Sequence, residues 1–132
     1  METDDKPLQQ EGYDLMAAAF EVHNELGHGF TEEIYQEAFE TELGERGIPF
    51  LAQSEIAVFY KGRPLRKKFR PDLIVGGAII VELKAVSALT AEHEAQLLNY
   101  LKATAQPVGY LINFGHGPKL EWKRFARTRN TQ

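Results

Sequence analysis

Residues 69–84 read Phe-Arg-Pro-Asp-Leu-Ile-Val-Gly-Gly-Ala-Ile-Ile-Val-Glu-Leu-Lys. Two apolar runs, Leu73–Val75 and Ala78–Val81, flank Gly76-Gly77. Short β-branched runs on either side of a glycine pair predict a β-hairpin. The hairpin carries Asp72 on its first arm and Glu82 and Lys84 on its second. Strand side chains alternate, so Glu82 and Lys84 share a face with Ile80, while Val81 and Leu83 point the other way. A carboxylate and an ammonium in an otherwise apolar strand are costly unless they pair or bind something.

Whether Asp72 meets Glu82 depends on the turn. A two-residue turn at Gly76-Gly77 pairs Asp72 with Val81 and turns Glu82 away. A three-residue loop, or a bulge in one arm, restores the parity and brings the carboxylates onto one face. Glycine permits such a loop. The expectation is therefore a three-residue loop or a bulge.

Upstream of Asp72, six of the ten residues of Lys61–Arg70 are basic: Lys61, Arg63, Arg66, Lys67, Lys68 and Arg70. The chain has a net charge of −4, but the charge is unevenly spread. Residues 1–60 hold 14 acids and 2 bases, whereas residues 61–132 hold 5 acids and 13 bases. A cationic block beside carboxylates suits a phosphate backbone. The alternative is an edge strand kept soluble by its charge.

The 132 residues, 43% hydrophobic and 26% charged, suit one soluble domain with a single core. We expect a polar mobile tail over 1–10 and one domain over 11–132. The absence of cysteine excludes disulfides and thiolate chemistry. With no long apolar run or signal-like N-terminus, the expectation is a cytoplasmic protein without membrane association. His23, His28, His93 and His116 lack a common zinc spacing, and no zinc site is expected.

Apolar periodicity predicts a helix from about Tyr13 to Leu26 and a second from Thr31 to about Arg46, the latter with a stripe of Ile34, Tyr35, Ala38, Phe39 and Leu43. Strands follow at Ile56–Tyr60, about Leu65–Val75 and Ala78–Lys84. A third helix runs from Thr90 or Ala91 to Ala105, burying Leu97, Leu98, Leu101 and Ala105. Strands at Val108–Phe114 and Leu120–Ala126 complete the order α-α-β-β-β-α-β-β, which implies a mixed sheet with a right-handed crossover.

Pro71-Asp72 followed by Glu82-x-Lys84 resembles the core of the PD-(D/E)xK nuclease superfamily. Gly29-Phe-Thr-Glu32-Glu-Ile-Tyr35, Gln96-Leu-Leu-Asn-Tyr100 and Gly109-Tyr-Leu-Ile-Asn113-Phe-Gly115 extend the likeness. Together, over roughly residues 13–127, these resemble the bacterial family named for its GxxExxY motif, placed with nucleases of the RecB and phage-exonuclease type. The resemblance implies an α/β fold of the restriction-endonuclease-like αβββαβ kind, with a mixed central sheet flanked by helices.

It also implies site residues. Asp72, Glu82, Glu32 and the main chain of Leu83 would hold Mg²⁺ or Mn²⁺. Asp72, Glu82, Lys84 and Glu32 would form the catalytic set. Gln96, Tyr100 and Tyr35 would contact substrate, and so, on charge, would Lys67, Lys68 and Arg70. The implied activity is metal-dependent hydrolysis of DNA or, as the lesser alternative, RNA. The rivals are a silent nuclease-fold binding or assembly module and a nucleic-acid-binding subunit, and a homo-oligomer would enlarge the footprint of so small a chain.

Overall fold

The computed structural model describes residues 7–127. Two helices come first, α1 (Gln9–Leu26) and α2 (Glu32–Glu45). Five strands follow: β1 (Phe50–Ala52), β2 (Ile56–Tyr60), β3 (Arg63–Phe69), β4 (Leu73–Val75) and β5 (Ile79–Lys84). Helix α3 (Ala91–Thr104) then leads to β6 (Val108–Asn113) and β7 (Glu121–Ala126). The main sheet has the order β1-β4-β5-β6-β7, and β2 and β3 form a separate two-stranded hairpin. β5 and β6 run parallel, joined through α3, and the other neighbours are antiparallel. The sheet is thus mixed, as expected.

Alternation along β4 and β5 divides the interior in two. Leu73, Val75, Ile79, Val81 and Leu83 join Leu15, Ala18, Val22, Tyr35, Phe39 and Leu43 of α1 and α2 in one cluster. Ile74 and Ile80 join Leu111, Phe69 and the Leu97/Leu101 stripe of α3 in the other. The sheet therefore has α1 and α2 on one face, and α3 with the β2–β3 hairpin on the other.

The structure departs from the sequence expectations at four places. Helix α1 begins at Gln9, so Gln9 and Gln10 belong to it and not to a tail; Gln10 donates to Asp14 one turn on. Pro7 and Leu8 form the turn before α1, with Leu8 packed against the core; residues 1–6 of the expected tail and 128–132 of the expected domain lie outside the described residues. The strand expected over Leu65–Val75 is broken at Arg70-Pro71 into β3 and β4. Proline has no N–H for a ladder and restricts the residue before it. An extra short strand, β1, pairs with β4 on the sheet edge. Helix α3 buries Leu97, Leu101 and Thr104, while Leu98 is 44% exposed. Thr104 tolerates burial because its hydroxyl donates to the Tyr100 carbonyl at 2.6 Å.

Candidate active site

The β4–β5 register is Leu73↔Val81, Ile74↔Ile80 and Val75↔Ile79, which leaves Gly76, Gly77 and Ala78 as a three-residue loop. Gly76 and Gly77 both have positive φ, 62° and 78°, where a side chain would be strained. Extended by one pair, this register sets Asp72 opposite Glu82. Each side chain then bonds to the opposite main chain. The Asp72 amide donates to Glu82 Oε1 at 2.9 Å, and the Leu83 amide donates to Asp72 Oδ2 at 2.7 Å.

Crowding two carboxylates has an electrostatic consequence. Burial, and then the charge of Asp72, push the Glu82 carboxyl up to about 8, against the weaker opposing pull of the Asp72 amide and Lys84. Glu32 stands at the exposed start of α2. Its pKa is raised first by partial desolvation and then by Asp72, while Lys84 lowers it. Glu32, Asp72, Glu82 and Lys84 thus share one electrostatic neighbourhood. A cavity of about 200 Å³ opens beside it, lined in part by Glu32, Gln36, Gln53 and Asp72.

Gln36 and Gln53 were not anticipated. The Gln36 amide donates to the Asp72 carbonyl at 3.2 Å, and the Gln53 N–H donates to the same carbonyl at 3.2 Å. Gln36 lies one turn beyond Glu32 on the same helix face, a spacing visible in the sequence. Nothing in the sequence marks Gln53, which reaches Asp72 through the β1 edge.

The expected substrate contacts are placed differently. Tyr35 is fully buried, stacked on Phe114 with ring centroids 4.9 Å apart. Its hydroxyl donates to the Gly27 carbonyl at 2.6 Å and accepts from the Phe30 amide at 3.2 Å. A residue with no exposed surface cannot touch substrate directly; Tyr35 fixes the joint between α1 and α2, and hence Glu32. Tyr35→Phe should cost about 1–3 kcal/mol, because two main-chain groups lose their partner; denaturant unfolding measures it.

Gln96 is exposed on α3, and half-buried Tyr100 stacks on Phe69 at 3.8 Å. Lys67 and Lys68 are exposed on β3, whereas Arg70 pairs with Glu55 at 3.0 Å. His93 closes a capping box with Thr90 at the start of α3.

The segment after Lys84 is clamped by Asn113, which is fully buried. Its Oδ1 accepts from the Val86 and Gly115 amides, and its Nδ2 donates to Glu121 Oε1. Glu121 also accepts from the Leu89 amide. Desolvation would raise the Glu121 pKa, but these hydrogen bonds, with the charges of His116 and Lys123, together outweigh it and hold the group below its ordinary value. The Lys84 carbonyl accepts from the Phe114 amide.

Among the described residues no group of three or more His, Asp or Glu side chains is arranged to hold a metal ion. Two adjacent carboxylates, one driven towards its neutral form by burial and then by the other, are nevertheless a donor pair that a hard divalent cation fits. Mg²⁺ commonly takes one or two carboxylates and fills its shell with water and substrate oxygens. Asp72 and Glu82 would hold it, with the Leu83 main chain adjacent.

Comparison with known proteins gives one family and one fold. A family model described as the PD-(D/E)XK nuclease superfamily matches residues 9–125. The crystal structure of SSO0001 is similar, with a TM-score of 0.58 and 16% identity. The match covers 93% of this chain and 62% of that one, so this chain spans less than two thirds of the other's length. No curated protein matches. Among the described residues no helix is long and apolar enough to cross a membrane.

Proposed function

Because the chain belongs to the PD-(D/E)XK nuclease superfamily, we propose that it hydrolyses phosphodiester bonds in DNA, with RNA the lesser alternative, using Asp72, Glu82, Lys84 and Glu32. The observation that carries this reading is the three-residue loop, which brings the two carboxylates of a Pro-Asp…Glu-x-Lys pattern together. Gly29–Tyr35 supports the finer placement within the GxxExxY family.

Asp72 and Glu82 would bind a Mg²⁺ or Mn²⁺ ion, which would polarise the phosphoryl oxygen and acidify a bound water. Lys84 would orient the attacking water and offset negative charge developing on the phosphoryl group. Glu32 would hold an outer water of the site from the positive end of α2. Water oxygen attacks phosphorus, the P–O bond to the leaving sugar oxygen breaks, and the water proton passes to solvent or to that oxygen.

One observation favours a silent binding module: both carboxylates are already hydrogen-bonded to main-chain amides. The deciding experiment is cleavage of single- and double-stranded DNA and of RNA by the pure protein with Mg²⁺ or Mn²⁺. Activity should vanish in EDTA and fall at least a hundredfold, on the order expected for losing catalytic charge, in Asp72→Ala and Lys84→Ala. Binding without turnover in the parent chain identifies the silent module.

Lys67 and Lys68 are proposed to neutralise backbone phosphates. Lys67→Ala with Lys68→Ala should reduce the dependence of log affinity on log salt by roughly 0.7–0.9 for each phosphate no longer neutralised. It should weaken unrelated sequences alike, in fluorescence anisotropy titrations. An unchanged salt slope removes these lysines from the nucleic-acid contact.

A further inference from the structure

The strongest unexplained feature is a pair of complementary surfaces on opposite faces of the sheet. Between α1 and α2 lies a groove of about 510 Å³. Val22, Leu26, Ile34 and Ala38 supply its apolar lining, and Ile34 is 45% exposed. Five carboxylates line it as well: Glu21, Glu25, Glu37, Glu42 and Glu45. Among the described residues, only Glu42 of these is ion-paired, to Arg46 at 2.7 Å.

The β2–β3 hairpin is the converse. Six of the seven residues of β3 are exposed. Along with its cations it exposes Phe59 at 44%, Tyr60 at 61% and Leu65 at 42%. Arg70 is held by Glu55, and Lys61 lies over the Tyr60 ring at 5.5 Å. Apolar side chains stand among acids on one surface and among cations on the other, so the two are complementary in charge. The hairpin packs with α3 on one face of the sheet and the groove belongs to the helices on the other. One copy therefore cannot fold its own hairpin into its own groove.

We propose that the chain self-associates head to tail, the β2–β3 hairpin of one copy seating in the α1–α2 groove of the next. Two different surfaces meet, so the contact is heterologous and grows into a ring or an open chain. The attraction is between opposite charges and weakens with salt. It does not depend on the nuclease reading.

The test is sedimentation velocity of the full chain over a concentration series. Parent protein should gain mass with concentration at low salt and return to monomer at high salt. Glu25→Lys with Glu45→Lys breaks the groove; both positions are exposed, and lysine near the ends of α1 and α2 suits the helix dipoles. Arg66→Ala, Lys67→Ala and Lys68→Ala together break the hairpin. Each variant alone should remain monomeric. Mixed, they should form a 1:1 complex and nothing larger, because one keeps a working groove and the other a working hairpin.

A parent chain that stays monomeric at low salt overturns the proposal and leaves the groove to a different basic partner. So does association by either variant alone, or a mixture that stays monomeric. Should the groove variant fail to fold by circular dichroism, Glu45→Gln gives the same readout as a fractional loss of association. The groove substitutions lie away from Lys67 and Lys68, so nucleic-acid affinity measured on them separates a failure here from a failure of the nuclease reading.

Discussion

In buffer containing EDTA, Glu82→Gln should stabilise the protein at pH 9 and leave it nearly unchanged near pH 4. Glu82 in the folded chain takes its proton at about 8, against 4.5 ordinarily. Between those values the folded state binds more protons than the unfolded state. The carboxyl's contribution to stability is therefore complete below about pH 4.5 and is lost as pH rises through about 8. Glutamine keeps the neutral form at every pH, and its Oε1 can still accept from the Asp72 amide. Each pKa unit is worth about 1.4 kcal/mol, so the parent should lose on the order of a few kcal/mol across this window relative to the variant. Urea unfolding at pH 4, 7 and 9 measures the difference. Parallel pH profiles for the two proteins would show that burial and Asp72 do not press on Glu82. The same substitution removes a proposed ligand, so any metal-dependent cleavage should disappear from a protein that has become more stable.

Gly115→Ala should be the most damaging single methyl in the region behind Lys84. A Cβ there would lie 2.6 Å from the Ala85 carbonyl carbon and from the Val86 nitrogen, and 2.7 Å from the Val86 oxygen. These are main-chain atoms, which cannot rotate aside. The segment must move outward, and its amide leaves Asn113 Oδ1. Overpacking costs about 1–3 kcal/mol, and a buried polar group left unpaired costs a further 1–3 or so. Thermal unfolding should show the sum. Hydrogen exchange should speed up over residues 85–90, and cleavage, if present, should fall further than stability alone explains, because the shifted segment begins at Lys84. An alanine variant with parental stability and parental exchange would overturn this account.

The carboxylate pair was legible because alternation is strict. Asp72 and Glu82 either share a face or do not, and the glycines supplied the loop that decided it. Outside that hairpin the sequence was less explicit. Leu65–Val75 looked like one strand because it lacks a glycine or a turn-forming pair before Gly76, yet Pro71 divides it between two sheets. Phe50–Ala52 is too short for periodicity to register. In α3 the row of leucines suggested a wider buried stripe than the sheet can cover, and Thr104 took a position that composition assigned to Ala105. Tyr35 shows the limit most clearly. The sequence put it both in the apolar stripe and beside Glu32 at the start of one helix, and the packing decides: Glu32 faces the cleft while Tyr35 turns into the core.

The three-residue loop also makes the site a matter of arithmetic. Asp72 and Glu82 sit at equal distances from Gly77, as if mirrored through it, and so does each pair in the ladder. Removing one glycine moves the mirror to a point between two residues, and every partner on the second arm then presents its opposite side. An insertion or deletion of two residues keeps the mirror on a residue. Among homologous chains, loop lengths at this turn should accordingly vary in steps of two wherever the acidic pair is kept, and a step of one should coincide with its loss or with a compensating bulge.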